Sequence, residues 1–322
     1  MPSQKSSASP SRETWRNRSR QHAQVWQRCI RQAVPSTNKS AIWLLKLMIP
    51  ISLIVTLLQH YSVLEQFASL LNPFFSYLGL PGTSAVIFVS GALAGTYAGI
   101  AAMTAIPLTM KQASILAVMI ALCHALPMEC AVNKKTGSSF WKMGILRILM
   151  ALLCAAVLNI VLPQFPGHYL YMGVPSTVSL ETLLSAWLVS QLKMSAMVYL
   201  IIYLLMVVQH AIEAYSLLPP LSRLLEPLMK LFGLPRQSAY MWLVGNVLGI
   251  SYGSAVMLEL EERGTITQED ANDVNHHLIM NHSMLEDTIV FSVTGISGLL
   301  LITTRLTAAL VLVWCRRLLK RC

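Results

Sequence analysis

Apolar positions in this chain come in runs rather than in stripes. "AIWLLKLMIPISLIVTLL" (41–58) and "SAWLVSQLKMSAMVYLIIYLLMVV" (185–208) are apolar on nearly every helical face. A helix needs about 20 mostly apolar residues to cross a bilayer. The pattern therefore predicts an all-α, polytopic membrane protein. Two segments interrupt it. Residues 1–40 are Ser-rich and carry eight Lys/Arg against one Glu. "NHHLIMNHSMLED" (275–287) packs three histidines, two asparagines and two acids into thirteen residues. Polar groups at membrane depth are costly, and such clusters mark functional sites.

The pattern also repeats. "NPFFSYLGLPGTSAVIFVSGALAGTYAGIAAM" (72–103) aligns without gaps on "EPLMKLFGLPRQSAYMWLVGNVLGISYGSAVM" (226–257). Gly91, Gly95 and Gly99 fall on Gly245, Gly249 and Gly253. After a four-residue insertion, "TMKQA" (109–113) meets "TQEDA" (267–271), each of which resembles a helix capping box. The same register puts His124 on His282, Glu129 on Asp287 and Arg147 on Arg305. The predicted organisation is a basic, partly disordered cytoplasmic arm (1–40), repeat 1 (41–163), an extracytoplasmic linker (164–184), repeat 2 (185–318) and a basic tail (319–322).

Charge assigns sides, because loops rich in Lys and Arg stay cytoplasmic. Residues 60–82 have no Lys or Arg, whereas their counterpart carries Arg223, Lys230 and Arg236. Lys111 is matched by the acidic "ELEERGTITQED". These sign changes predict two inverted-topology repeats, with both termini cytoplasmic in the inner membrane. Lys111 and the basic stretch 134–147 read as lying on one side, so 113–128 is expected to be a re-entrant hairpin broken near Pro127, and 271–286 its counterpart from outside. Each repeat then has three crossings plus a re-entrant hairpin; eight plain crossings are the alternative.

Composition narrows the function. The chain is 55% hydrophobic and 12% charged, with a net charge of +10, and its mean hydropathy is +0.57. A soluble protein needs more charge to cover its surface. No Walker motif, HExxH or nucleophile elbow is present, so the reading is a permease and not an enzyme, with the lipid bilayer and a small ion or solute as partners. A homo-oligomer or a partner membrane protein is a further expectation, and nucleic acid is not expected.

The candidate translocation residues are His124, Glu129, Asn246, His277, Asn281, His282, Glu286 and Asp287. Imidazole with carboxylate suits a divalent transition metal or a proton relay, so His124, Glu129, His282, Glu286 and Asp287 form the candidate metal set. His282 and Glu286, four apart, would share a helix face. No cofactor is expected; a bound divalent cation would be the substrate. Asp273, Asn275, His276 and His277 have apolar counterparts in repeat 1, which suggests either a solvated start to the segment or an aqueous vestibule leading to His282.

The turns Asn72-Pro73…Leu78-Gly79-Leu80-Pro81 and Glu226-Pro227…Phe232-Gly233-Leu234-Pro235, each followed by a glycine-rich helix, resemble the Gate, or nucleoside-recognition, domain family. Its relatives include spore-maturation membrane proteins, the membrane part of ferrous-iron transporters and concentrative nucleoside transporters. The resemblance covers about 41–318. It implies the fold and a transport role, with a cation first, a nucleoside or other small polar solute second, and a non-transporting membrane partner third.

Overall fold

A computed structural model describes residues 12–171 and 178–319. The first residues of the basic arm, part of the linker and most of the tail lie outside the described residues. The described residues are α-helical with no strand; the one isolated bridge joins Thr109 to His168.

Repeat 1 comprises α1 (Arg12–His60), α2 (Val63–Ser76), α3 (Ser84–Ala94), α4 (Thr96–Ala105), α5 (Met110–Cys123), α6 (Leu126–Lys135) and α7 (Phe140–Val161). Repeat 2 gives the same series as α8 (Leu180–Ala214), α9 (Leu218–Leu231), α10 (Ala239–Val247), α11 (Ile250–Glu262), α12 (Gln268–Asn281), α13 (Met284–Val293) and α14 (Gly298–Leu319). Five helical stretches are long and apolar enough to cross a membrane: 20–60, 110–135, 140–161, 180–214 and 298–319. α1 runs unbroken through position 40. Its 49 residues span about 70 Å at 1.5 Å each, well beyond a hydrocarbon core of about 30 Å. It lies antiparallel to α8, joined by Gln191 Nε2 donating to Ser52 Oγ (2.5 Å) and Tyr199 OH to Asn38 Oδ1 (2.6 Å).

The reversal of the chain falls at the glycines, not in the segments expected to be re-entrant. α3 and α4 fold back on each other at Gly95 (φ +102°), and α10 and α11 at Gly249 (φ +95°). A Cβ on Gly99 would lie 3.2 Å from Gly91 Cα, and one on Gly253 would lie 2.9 Å from Gly245 Cα. Residues eight apart in one straight helix would be about 12 Å apart. The glycine stripes are thus the crossing points of two short hairpins. Only glycine lets backbones approach this closely at a positive-φ tip.

The expected hairpins 113–128 and 271–286 are instead broken helices that keep going. Lys111 Nζ donates to Asn159 O (2.8 Å), Arg147 Nε donates to Leu122 O (2.8 Å), and the Gly144 Cβ position lies 3.6 Å from Cys130 Sγ. Residues 110–135 therefore run antiparallel to α7 along its whole length. Likewise α12–α13 follow α14, from Arg316–Asp273 (2.9 Å) through Arg305–Met280 O (2.9 Å) to the contact of Gly298 with Ser292. Each repeat has three long segments and one hairpin, with the hairpin at the glycines and the broken helix among the long segments. The break is a two-residue kink: His124 is extended and Ala125 left-handed (φ 45°), with His282 and Ser283 (φ 50°) matching them. Pro127 sits in the first turn of α6, where its missing N–H costs nothing. Thr109 and Thr267 start α5 and α12 with full capping boxes.

The halves run antiparallel to each other. The turn 136–139 packs on the start of α12, where Ser138 Oγ donates to Asn272 Oδ1 (2.7 Å). The turn 294–297 packs on the start of α5, with Gly295 against Met110. Three placements differ from expectation. Lys111 lies at the end opposite Lys134 and Lys135, beside the linker, where Tyr169 N donates to Leu108 O (3.0 Å). The acidic stretch 259–270 lies at the Lys134/Lys135 end. Arg147, expected among the surface charges, is fully buried.

Candidate functional site

The two breaks carry the chemistry. At each, carbonyls at the end of a helix run short of backbone donors, and polar side chains supply them. His124 Nδ1 donates to Ile120 O (3.2 Å) and His282 Nδ1 to Leu278 O (2.8 Å). Arg147 Nε takes Leu122 O, while Arg305 takes both Met280 O and His282 O. The remaining guanidinium atoms hold the acids: Arg147 Nη1 binds Glu129 Oε2, and Arg305 Nη1 binds Asp287 Oδ2 (3.0 Å). His124, Glu129, Arg147, His282, Asp287 and Arg305 are all buried, none above 6% exposed. Each hairpin is tied to the break of its own repeat: Ala125 N donates to Gly91 O (3.1 Å) and Ser283 N to Gly245 O (3.1 Å).

The histidines of the two repeats meet. His282 Nε2 lies 3.2 Å from His124 Nε2 and 3.0 Å from Glu129 Oε1, and His124 Nε2 lies 3.1 Å from the same oxygen. A carbonyl can only accept, so each Nδ1 carries its proton and each neutral imidazole turns a lone pair inward at Nε2. Three lone-pair donors thus converge on one point. Such a set repels itself unless a cation, either a proton or a metal ion, stands among them. Ligands about 2.0–2.2 Å from a tetrahedral metal lie about 3.3 Å from one another, close to the spacing seen. Imidazoles anchored through Nδ1 and a carboxylate anchored by arginine are the usual outer support of such a site.

The eight sequence candidates separate. His124, Glu129 and His282 form the cluster, and these three can together hold a metal ion. Asp287 stands 4.0 Å from His124 Nε2, its Oδ1 taken by Thr96 Oγ1 (3.0 Å). Glu286 does not share a face with His282, because the break at Ser283 separates them; it accepts from Tyr97 OH (3.1 Å). Asn281 directly precedes His282 on α12 and His277 lies about one turn before it, with His277 Nδ1 accepting from Trp242 Nε1 (3.0 Å) and Asn281 Nδ2 (3.0 Å). Asn246, on α10, donates to Trp242 O (3.0 Å). Sequence reasoning passed over Arg147, Thr96 and Tyr97. The repeat register gave a signal for the first, since Arg147 falls on Arg305; Thr96 and Tyr97 fall on Ile250 and Ser251 and gave none.

A multi-pass α-helical membrane protein with paired broken helices and a buried polar centre is what the fold and this geometry define. The comparisons make it specific. A family model described as Gate, nucleoside recognition, matches residues 41–136. A Bacillus subtilis (strain 168) protein described as uncharacterized membrane protein YvoD is 30% identical over 272 residues, covering 83% of this chain and 87% of that one. The chain belongs to the Gate family. No solved structure matches it.

Proposed function

We propose that the protein is an inner-membrane permease for a divalent transition-metal cation, bound at His124, His282 and Glu129. The observation that carries this reading is the convergence of three lone-pair donors, two of them from repeat 1 and one from repeat 2, within 3.2 Å of one another. A site made by both repeats at the breaks of discontinuous helices is the arrangement in which alternating access can be driven by moving one repeat against the other. Nitrogen and carboxylate donors suit first-row divalent metals better than Mg²⁺ or Ca²⁺.

The proposed orientation follows the charges. Lys134, Lys135, Lys142, Lys230, Arg236, Arg263, Arg316 and Arg317 lie toward one end, and Lys111 toward the other. The first end is then cytoplasmic, both termini with it, and the repeats are inverted. Cysteines introduced at positions 110 and 264 label from opposite sides, 110 from outside. Labelling from the same side defeats the inverted arrangement.

The metal reading is tested on purified protein with Zn²⁺ and Mn²⁺. Binding at 100 times Kd stabilises by about 2.7 kcal/mol, seen as a raised unfolding midpoint that the His124→Ala and His282→Ala variants lose. Metal and protons compete for the Nε2 lone pairs. Metal affinity therefore weakens as pH falls from about 7.5 to about 5.5, by about tenfold per pH unit for each proton displaced. A midpoint unmoved by any divalent metal, or an affinity that ignores pH, rejects the reading. The second reading, a nucleoside permease, is favoured by the description of the matched family model. Uptake of labelled uridine, with no uptake of metal, in proteoliposomes would select it.

A further inference from the structure

Beyond the histidine pair, five side chains between the centre and the Lys134/Lys135 end are buried with polar atoms left unpartnered. They are Asn133 (Oδ1 and Nδ2), Asn275 (Oδ1), His277 (Nε2), Asn281 (Oδ1) and Asn246 (Oδ1). Four of them are 0% exposed and Asn246 is 5%. Buried polar groups are nearly always satisfied, so a cluster that is not asks for an explanation. Three of them succeed one another along α12, Asn275 on the face toward the 136–138 turn and His277 and Asn281 on the face toward Trp242. Asn275 reaches the terminal turn through Thr136 Oγ1 (2.7 Å) and Ser138 Oγ (2.9 Å). His277 is half a turn further in, and Asn281 bonds it (3.0 Å) and directly precedes His282. Asn246 follows Gly245, whose carbonyl holds the break at Ser283.

The repeat supplies a control for each position. Because the halves run antiparallel, the counterparts of these five lie toward the opposite end. They are Phe291 for Asn133, Ala117 for Asn275, Met119 for His277, Cys123 for Asn281 and Ala92 for Asn246. All five are apolar, and all are buried, at 7% exposure or less. The same five places are polar toward one end and apolar toward the other. A structural need of the fold would appear in both halves. His277 is not a second metal ligand: its Nδ1 accepts from the Trp242 indole, so a neutral ring carries its proton at Nε2.

We propose that His277, Asn281 and Asn246 line a hydrated access path between the cytoplasmic end and the central site, with Asn133 and Asn275 at its mouth by the 136–138 turn, while their apolar counterparts seal the path toward the outside. Water or a partly hydrated cation in transit supplies the missing hydrogen bonds. This rests on the reading of the histidine pair as the transported ion's site, and it adds the side from which that site is reached in this conformation.

Thiol accessibility tests it. In a background lacking Cys29, Cys130, Cys154, Cys315 and Cys322, native Cys123 is compared with an Asn281→Cys, Cys123→Ala variant. The exchange at 281 only gives repeat 2 the residue repeat 1 already has. Asn246→Cys, Cys123→Ala provides a second variant. A membrane-impermeant cationic methanethiosulfonate is applied to inside-out and right-side-out vesicles. Positions 281 and 246 are expected to react at least tenfold faster from the cytoplasmic side than from outside, and Cys123 to resist the reagent from outside. Equal rates from both sides, no reaction at 281 and 246, or fast outside reaction of Cys123 overturns the proposal. Zn²⁺ binding to the purified protein with its native residues at 246 and 281 separates the two readings. Polarised labelling without metal binding leaves the path and rejects the cargo; metal binding without polarised labelling does the reverse.

Discussion

The broken helices α5–α6 and α12–α13 are the same device dressed in two ways. Both end a capped helix in a histidine, kink through a left-handed residue, restart with an acid near the first turn and hand that acid to an arginine 18 residues on. The difference lies in what else touches the acid. Asp287 is held by Thr96 Oγ1 as well as Arg305. Glu129 has an isoleucine, Ile250, at the position equivalent to Thr96, and turns its free oxygen to both histidines. One hydroxyl on the neighbouring hairpin and one methylene in the acid itself thus separate a carboxylate that anchors from one that faces the centre. Symmetry places the groups, and single departures from symmetry assign their roles.

The largest expected effects come from the arginines, which differ in the same sense. Removing one partner of a buried ion pair costs about 3–5 kcal/mol, because the other charge is left uncompensated. Arg305 holds Asp287 and two carbonyls, whereas Arg147 holds Glu129 and one carbonyl, with Nη2 unpartnered. Arg305→Met should therefore lose more than Arg147→Met in thermal unfolding of detergent-solubilised protein. Adding Glu129→Gln to Arg147→Met should restore most of the loss. If Arg147→Met is the more damaging, or the double variant gains nothing, the pairs do not carry the centre as argued.

The glycine hairpins give the next contrast. A Cβ at Gly253 meets Gly245 backbone at 2.9 Å, which cannot step aside, while a Cβ at Gly91 first meets the Ile120 side chain at 3.0 Å. Gly253→Ala is expected to cost about 1–3 kcal/mol, the range for overpacking, and Gly91→Ala less, because Ile120 can shift. Trimming the facing residue in Gly91→Ala, Ile120→Ala, which removes both the Cγ1 and the Cγ2 that the new methyl meets, should relieve the first repeat. No trimming of Leu278 should relieve Gly253→Ala. Equal losses at the two glycines would mean that the hairpin arms cross less tightly in repeat 2 than these distances state.

Much of this was legible in the sequence, and the part that was not has a physical reason. The apolar runs, the repeat register, the capping boxes at Thr109 and Thr267 and the pairing of His124 with His282 all follow from local chemistry or from comparing the chain with itself. The choice of which segment reverses did not. Lys111 read as cytoplasmic by the charge rule, yet one lysine can cap a neighbouring helix end, here through Asn159 O; a single charge is weak evidence for a side. Three glycines at four-residue spacing fit a straight packed helix and a folded hairpin equally well, because periodicity does not record a positive φ at the middle one. Arg147 looked like the last member of a basic run, and its alignment with Arg305 set it apart without saying that either is buried. The contacts across repeats, such as Thr96 with Asp287, join residues 191 apart and leave no local trace.

The smallest effect concerns the kinks themselves. Ala125 (φ 45°) and Ser283 (φ 50°) hold a left-handed conformation that L-residues adopt at a cost of about 1–2 kcal/mol. Glycine removes that strain, but it also widens the unfolded ensemble, a loss of about 0.4–1 kcal/mol. The net expectation for Ala125→Gly and for Ser283→Gly is a stabilisation between zero and about 1.6 kcal/mol, similar in the two repeats because the kinks have nearly the same geometry. Ala125→Val should move the other way, since a β-branched residue is disfavoured at positive φ. The measurement is the unfolding midpoint of each variant beside its counterpart. A glycine that destabilises either break would show that the methyl or hydroxyl there contributes packing against the hairpin tip, where Ser283 Oγ already lies 3.5 Å from the Cβ position of Gly249 and Ala125 Cβ 4.0 Å from that of Gly95. Because the serine is the closer of the two, any such loss should appear first, and larger, in repeat 2.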